Sequence, residues 1–274
     1  MLKKVMLLAS RSNWMRQAAR NSFHLPLIGA SLRKVAGEML PRGQRTWVQI
    51  HNGPGKGLWI KVEPYWEPGY LQGEPEPAIQ EIMVEKIKKG DCFYDIGAHI
   101  GYYALIASRL VGAEGCVIGF EPDPENVAVC RENIARNNFS QASVVAAAIW
   151  SANGQISFER GEDGPSRMGG RVMQEDPSTV KVKQMVTCPA LTLDEFCKSH
   201  RPPTFLMIDA EGGELEVLKG ARATLEQYRP DLLIEVHSTE TLPSVSDSLE
   251  PFGYQVRPVA MHPDKLHVYC TRGV

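Results

Sequence analysis

Blocks of apolar and polar residues follow one another in a fixed order between residues 91 and 121. The order is an apolar run, a glycine-containing turn, a segment with apolar residues at helical spacing, and a second apolar run: Cys92–Ile96, 97–101, Tyr102–Val111 and Cys116–Phe120. Glu121 closes the second run. These spacings predict a strand, a helix and a second strand that together form one β-α-β unit.

Strand and helix patterns alternate along the remainder of the chain. The predicted strands are 47–51 and 58–62, which form a hairpin, then 143–149, 155–159, 181–187, 205–208, 232–236, 254–259 and 266–270. The predicted helices cover 79–87, a segment capped by Asp123, a short segment capped by Thr192, then 214–228 and 244–251. The segment 64–77 is predicted to be an ordered loop. Strands separated by helices predict an α/β fold with a mostly parallel sheet, and the last two strands predict an antiparallel hairpin at one edge.

Charge is distributed unevenly, although the net charge of the 274 residues is only -2. Residues 1–45 contain nine basic residues and one acidic residue, whereas the rest of the chain is acidic. We expect three regions: a basic helical extension over 1–45, a hairpin and loop over 46–73, and the main domain over 74–274. The extension would pack on the main domain or on a second copy of the chain, or touch an anionic membrane surface. The nearly neutral total gives no reason to expect nucleic-acid binding.

The six cysteines form no CxxC pair, and most lie in predicted strands or helices. Reduced thiols at such positions pack as small apolar groups. We therefore expect a reducing, cytoplasmic compartment.

The turn after the first core strand restricts the choice of nucleotide. Gly97 and Gly101 are present, but the middle glycine that admits the pyrophosphate of NAD is absent, and so is a Walker phosphate loop. A smaller ligand is favoured, with its cationic part near Asp95 and its ribose hydroxyls near Glu121. S-adenosylmethionine has that shape.

Six motifs in the same order resemble the FkbM-type S-adenosylmethionine-dependent methyltransferases, whose fold is a Rossmann-like, seven-stranded class I methyltransferase domain. They are DIGAHIGYYALIA from Asp95, GCVIGFEPDPENV from Gly115, ENIARNN from Glu132, TLDEF from Thr192, MIDAEGGELEVLKGA from Met207 and IEVHS from Ile234. His99 stands where this family more often has Asn. The resemblance spans roughly residues 74–238, and the first 45 residues match nothing in it.

The resemblance also implies which residues hold the cofactor. Those expected around its methionine portion are Asp95, Gly97, Ala98 and Gly101, with Glu121 on the ribose and Pro122, Ala147 and Ala148 near the adenine. Glu76 is expected to close over the cofactor.

A second group of polar residues follows two neighbouring strands: Asp209 and Glu211 after one, Glu235 and His237 at the end of the next. The carboxyl ends of parallel strands meet at one edge, so these side chains are expected to converge beside the cofactor turn. We expect His237 to act as a general base, with Asp209 or Glu211 orienting it or contacting the cofactor. There are two alternatives for His237. It is a polar residue at a strand end without a catalytic role, or it belongs to a Mg²⁺ or Mn²⁺ site together with the acids; the metal site is not favoured.

The predicted function is S-adenosylmethionine-dependent methylation of a hydroxyl oxygen on a small molecule, and the resemblance implies a sugar or a polyketide-type natural product. There are two alternatives. One is methylation of a carboxylate substrate that Arg167 or Arg171 would position, and the other is a binding module without catalytic activity. Acceptor recognition is expected from the loop 161–177 and from the segment 59–70, which includes Tyr65 and Trp66.

Overall fold

Seven strands form the central sheet of the computed structural model, which describes residues 44–63, 68–73, 75–159, 171–172, 185–238, 240–261 and 265–272. In chain order the sheet contains β3 (Cys92–Ile96), β4 (Cys116–Phe120), β5 (Ala142–Val145), β10 (Phe205–Ile208), β11 (Asp231–Val236), β12 (Tyr254–Met261) and β13 (Leu266–Arg272). Across the sheet the order is β12-β13-β11-β10-β3-β4-β5. All neighbours pair in parallel except β13, which is antiparallel to both β11 and β12. The predicted mostly parallel α/β sheet is confirmed.

The remaining strands form two smaller sheets. One is the predicted hairpin, β1 (Thr46–Gln49) and β2 (Trp59–Val62), which pair antiparallel. The other contains β6 (Ala148–Ile149), β7 (Gly154–Glu159), β8 (Arg171–Val172) and β9 (Met185–Leu191). The predicted antiparallel pairing of the segments near 155–159 and 181–187 is present between β7 and β9.

Helices cover both faces of the central sheet. They are α1 (Pro68–Gln72), α2 (Pro77–Lys86), α3 (Tyr102–Val111), α4 (Pro124–Arg136), α5 (Leu193–Phe196), α6 (Glu214–Lys219), α7 (Arg222–Gln227) and α8 (Leu242–Leu249), with a 3₁₀ turn at Glu250–Phe252. Successive residues of β3 point to opposite faces. Phe93 packs in the core with α2, α3 and the hairpin, whereas Tyr94 packs in the core with α6, α7 and α8.

Two caps form as the sequence predicts. The Asp123 side chain accepts hydrogen bonds from the backbone N–H groups of Glu125 and Asn126, and so starts α4. Thr192 accepts from the backbone N–H of Glu195 and starts α5. Each cap satisfies N–H groups that have no partner inside the helix.

Several predicted boundaries are wrong. The segment 143–149 is not one strand, because the Ala147 N–H donates to the Val145 carbonyl and the chain turns there from the central sheet into the second sheet. The expected helix over 214–228 divides at Gly220, where a side chain would overlap the backbone carbonyl of Trp150. The predicted antiparallel hairpin at one edge of the sheet is present, in contrast, with β12 outermost and β13 paired to β11.

Part of the loop predicted over 64–77 is the helix α1, which hydrogen bonds from His51 and Asn52 attach to the hairpin. Residues 1–43, with the predicted basic helix and its membrane or self-association contacts, lie outside the described residues. None of the helices within the described ranges is long and apolar enough to cross a membrane.

Candidate active site

The turn between β3 and α3 brings backbone very close to backbone. The N–H groups of Gly97 and Ala98 both donate to the Phe120 carbonyl, at 2.9 and 3.0 Å. Gly97 has φ +87, and a Cβ there would overlap the carbonyl oxygen of Asp209 at the end of β10. Only glycine fits such a position without strain. Gly97 therefore joins the predicted cofactor turn to the predicted catalytic acids.

Asp95 is the buried acid of this turn. Its side chain is 2% exposed, and its Oδ2 accepts no hydrogen bond from the residues that the structure describes. Burial raises the pKa of the carboxyl to about 7, a hydrogen bond from the Ala104 backbone opposes that shift, and the negative charge of Glu121 adds to it. A cationic group bound beside Asp95 would stabilise the ionised carboxylate.

Glu121 is fixed by the backbone around it. Its Oε2 accepts from the His99 N–H at 2.8 Å, and its Oε1 accepts from the Asp123 N–H at 2.9 Å. Burial raises the pKa of this carboxyl to about 7, although those two N–H groups favour the ionised form. Oε1 also accepts from the Asn126 side chain at 3.5 Å, whereas Oε2 keeps a second lone pair that a ribose hydroxyl could use.

His99 adopts a left-handed backbone conformation, with φ +50. Asn and His are among the residues that tolerate this region best. The conformation therefore suits His99 and would suit Asn as well.

The other predicted cofactor residues lie at the same edge of the sheet. Gly101 has φ +87 and precedes α3, and Pro122 is half-buried directly after Glu121. Ala147 is buried and Ala148 half-buried just beyond β5, whose Val145 carbonyl accepts from the Glu121 N–H. The ends of β3, β4 and β5 thus form one continuous surface.

Glu76 lies in an ionic cluster that the sequence did not predict. Its Oε2 accepts from the Tyr103 hydroxyl at 2.6 Å, and its Oε1 lies 2.8 Å from the Lys265 ammonium. The same oxygen lies 3.4 Å from Nε2 of the buried His267. These contacts attach Glu76 to the acidic side of the site.

The four residues predicted to converge after β10 and β11 do so around one ring nitrogen. Nε2 of His237 lies 3.1 Å from Glu211 Oε2, 3.2 Å from Glu235 Oε1 and 3.6 Å from Asp209 Oδ1. The other nitrogen, Nδ1, lies 2.7 Å from Glu214 Oε1. Both nitrogens of His237 are therefore directed at carboxylates.

This environment changes the charge of His237. Burial disfavours the imidazolium, but the hydrogen bonds with Glu211, Glu214 and Glu235 outweigh it and raise the pKa of the ring to about 12. An imidazolium has no lone pair with which to take a proton. With no cation bound, the raised pKa favours the imidazolium form of His237 at neutral pH.

Burial and the neighbouring Glu235 and Glu211 raise the pKa of Asp209 above its usual range. Burial acts in the same direction on Glu235, but His237, His267 and Lys265 lower the pKa of that carboxyl overall. Asp209 is the more exposed of the two, with 31% of its side chain accessible against 4% for Glu235. Asp209 is thus the more accessible of these two acids.

Three further residues belong to the cluster, and sequence reasoning missed two of them, Lys265 and His267. Glu214 contacts His237 and also accepts from the Gly212 N–H. Lys265 lies 2.8 Å from Glu235 Oε1, and His267 lies 2.7 Å from Glu235 Oε2. The antiparallel register that pairs Glu235 with His267 would have identified both residues. Predicting a hairpin from the sequence does not supply that register.

The predicted acceptor-recognition segments are mostly outside the described residues. This applies to Tyr65, Trp66, Arg167 and most of 161–177, while Arg171 is described only as part of β8.

Comparison with known proteins places this site in a family. The model of the methyltransferase FkbM domain matches residues 95–256. The hexuronic acid methyltransferase AglP of Haloferax volcanii is 28% identical over 181 residues, which are 65% of this chain and 68% of that protein. The protein-L-isoaspartate O-methyltransferase of Methanococcoides burtonii is 35% identical over 79 residues, 28% of this chain and 39% of that one.

Among solved structures, the FkbM methyltransferase of Methylobacillus flagellatus superposes with a TM-score of 0.49 and 20% identity. The superposition covers 66% of this chain and 43% of that one, so the chain spans less than half of that protein's length. The family model, in contrast, matches more than half of the present chain, including both halves of the site. The chain therefore belongs to the FkbM methyltransferase family.

Proposed function

We propose that this protein is an S-adenosylmethionine-dependent O-methyltransferase that acts on a hydroxyl of a small molecule, either a sugar or a polyketide-type natural product. The observation that carries the proposal is the direct contact between the two halves of the site, Gly97 against the Asp209 backbone. A donor held by the turn would lie next to an acceptor held by the acids. Methyl transfer needs this proximity, since the acceptor oxygen must be aligned with the methyl group.

The residues of the turn fit S-adenosylmethionine. Asp95 offers a buried carboxyl oxygen that no described residue satisfies, which suits the cofactor's ammonium group. Glu121 is oriented by two backbone N–H groups and suits the ribose hydroxyls. Gly97, Ala98 and Gly101 provide backbone without bulky side chains, while Pro122, Ala147 and Ala148 suit the adenine. The bound cofactor would supply an electrophilic methyl group on a sulfonium.

On the acceptor side, we assign the proton transfer to Asp209. A carboxyl with a raised pKa takes a proton more readily near neutral pH than an ordinary one does. His237, charged and held on both sides, would fix the acids in place and favour the negative charge that develops on the acceptor oxygen. Glu211, which contacts His237, would help to orient the acceptor.

A carboxylate acceptor is the second candidate, because one relative is named for hexuronic acid. A hexuronic acid carries both hydroxyls and a carboxylate, so a sugar acid would suit either reaction. The six cysteines are unpaired, which supports the cytoplasmic location that we propose together with this activity.

The test is to incubate the protein with methyl-labelled S-adenosylmethionine and a panel of hexoses, hexuronic acids and phenolic polyketides. Label that stays on the product in mild base identifies an ether and supports hydroxyl methylation. Label released as methanol identifies an ester and supports the carboxylate alternative. Asp209→Asn should lower kcat for hydroxyl methylation by about 10²- to 10⁴-fold. Failure of the protein to bind either S-adenosylmethionine or its demethylated product at millimolar concentration, measured by calorimetry, would overturn the proposal.

A further inference from the structure

Three carboxylates surround a single nitrogen of His237. The oxygens of Glu211, Glu235 and Asp209 lie 3.1, 3.2 and 3.6 Å from Nε2. One N–H group makes one well-directed hydrogen bond, so two of these oxygens gain little from it. An imidazole nitrogen of His237 and one oxygen each of Asp209 and Glu211 lie close enough together to bind a divalent cation.

Glu214 fixes the direction of the ring. It is 1% exposed, accepts from the Gly212 N–H at 2.9 Å and lies 2.7 Å from Nδ1 of His237. An ionised carboxylate only accepts hydrogen bonds, so Nδ1 must carry the proton. When a cation replaces the proton on Nε2, that nitrogen can present its lone pair to the cation. Histidines that bind metals are commonly held in this way by a carboxylate on their other nitrogen.

A further observation points to a ligand at this position. Asp209 Oδ1 is enclosed by protein and accepts no hydrogen bond from the residues that the structure describes. A buried polar atom without a partner is costly, which indicates that something outside the described residues completes the cluster.

The charges agree with a missing cation. Five carboxylates, those of Glu76, Asp209, Glu211, Glu214 and Glu235, are linked through contacts to one ammonium, Lys265, and two imidazoles. With all five carboxyls ionised and both imidazoles protonated, the group keeps two excess negative charges. Partial burial makes that excess unfavourable, and one divalent cation would neutralise it.

We propose that Asp209, Glu211 and His237 bind one hard divalent cation, Mn²⁺ or Mg²⁺, with Glu214 orienting the histidine. This inference rests on the proposed function for its role. The cation would bind the acceptor oxygen and stabilise its negative charge, while the second oxygen of Asp209 would take the hydroxyl proton. Mn²⁺ should bind better than Mg²⁺, because it accepts an imidazole ligand more readily. Lys265, whose ammonium contacts the neighbouring Glu235, places a positive charge beside the site and opposes the cation.

The experiment is a Mn²⁺ titration of the full chain after treatment with chelator and its removal. Electron paramagnetic resonance follows the loss of the free-ion signal. We expect one bound Mn²⁺ per chain, displaced by excess Mg²⁺. Asp209→Asn and Glu211→Gln should each weaken binding at least tenfold, and Glu214→Gln by about 10- to 100-fold. Lys265→Met should strengthen binding. The matched control is Glu132→Gln, which removes an exposed acid paired with Lys61 outside the cluster and should bind as the wild type does.

Circular dichroism checks that each variant is folded, and the conservative changes keep the volume of each side chain. The inference is wrong if folded wild-type protein binds no Mn²⁺ at millimolar concentration, or if Asp209→Asn and Glu211→Gln bind it as the control does. Calorimetry with S-adenosylmethionine in chelator separates the two proposals. Cofactor binding and methyl transfer without any bound cation would remove the metal site and leave the proposed function. Cation binding without cofactor binding would support the metal site and overturn the proposed function.

Discussion

The backbone of Gly97 packs so closely against the carbonyl oxygen of Asp209 that no side chain fits between them. The first residue belongs to the turn after β3, and the second follows the neighbouring strand β10. This contact sets the distance between the residues proposed to hold the methyl donor and those proposed to meet the acceptor. A glycine at this position therefore serves the spacing of the site as well as the turn.

The substitution Gly97→Ala should lower the free energy of unfolding and abolish cofactor binding. The new Cβ meets a backbone atom that no side-chain rotation can move, and the φ of +87 is itself unfavourable for alanine. We expect a loss of about 3 kcal/mol or more in the free energy of unfolding, measured by urea denaturation. Gly57→Ala is the control, since Gly57 has φ +84 but a Cβ added there would have no other atom within 4 Å. That variant should lose only about 1 kcal/mol, and an equal loss in both variants would show that the clash is unimportant.

His99→Asn should be nearly neutral, whereas His99→Val should be harmful. Valine in the left-handed region is expected to cost about 1–2 kcal/mol, while asparagine tolerates that region. The His99 N–H also fixes Glu121, so the valine variant should bind S-adenosylmethionine more weakly. Calorimetry and urea denaturation of the two variants test this directly. Equal behaviour of Asn and Val would mean that the left-handed backbone is not required.

Asp95 should make the cofactor-free protein less stable as the pH rises. Burial raises the pKa of its carboxyl from 3.8 to about 7, so the folded state binds the proton more tightly than the unfolded state. The stabilising contribution is complete below about pH 4 and disappears as the pH rises to about 7. Asp95→Asn lacks this titration, so the stability of the wild type relative to the variant should fall between pH 4 and pH 7.

With saturating S-adenosylmethionine, the loss of stability between pH 4 and pH 7 should be smaller. The cationic group of the cofactor beside Asp95 favours the ionised carboxylate. Wild type and Asp95→Asn are compared by thermal unfolding at each pH. A difference in stability that does not change with pH would contradict the raised pKa.

His237 should remain protonated in the cation-free protein well above neutral pH. The carboxylates that overcome the effect of burial raise the pKa of the ring to about 12. Its contribution to stability is therefore complete below pH 6.5 and is lost only as the pH rises toward 12. Nitrogen-15 chemical shifts of the ring in chelator-treated protein measure this. In Glu214→Gln the pKa should be lower, because one of the carboxylate partners is gone. Loss of the ring proton near pH 6 to 7 would restore His237 as the general base that the sequence suggested.

Local patterns predicted the first β-α-β unit to the residue. β3, α3 and β4 begin and end where the apolar runs and the glycine turn placed them. Adjacent residues and hydrogen bonds along the chain decide such elements, so a single sequence is sufficient. The prediction of one continuous helix over 214–228 was wrong because a contact distant in the sequence decides where it divides. It divides where Gly220 meets the backbone of Trp150, a residue about seventy positions away.

The sequence by itself determined the order of the central strands and of the helices between them, the cofactor turn and the four polar residues at the carboxyl ends of β10 and β11, because periodicity and motif spacing are local properties. Only the tertiary structure decided that Lys265 and His267 join that cluster, since the register of β11 against β13 brings them to Glu235. Glu76 joins it through its contacts with both of those residues. The tertiary structure also decides the charge of His237 in the cation-free protein, because the pKa of a histidine depends on burial and on the carboxylates around both of its nitrogens.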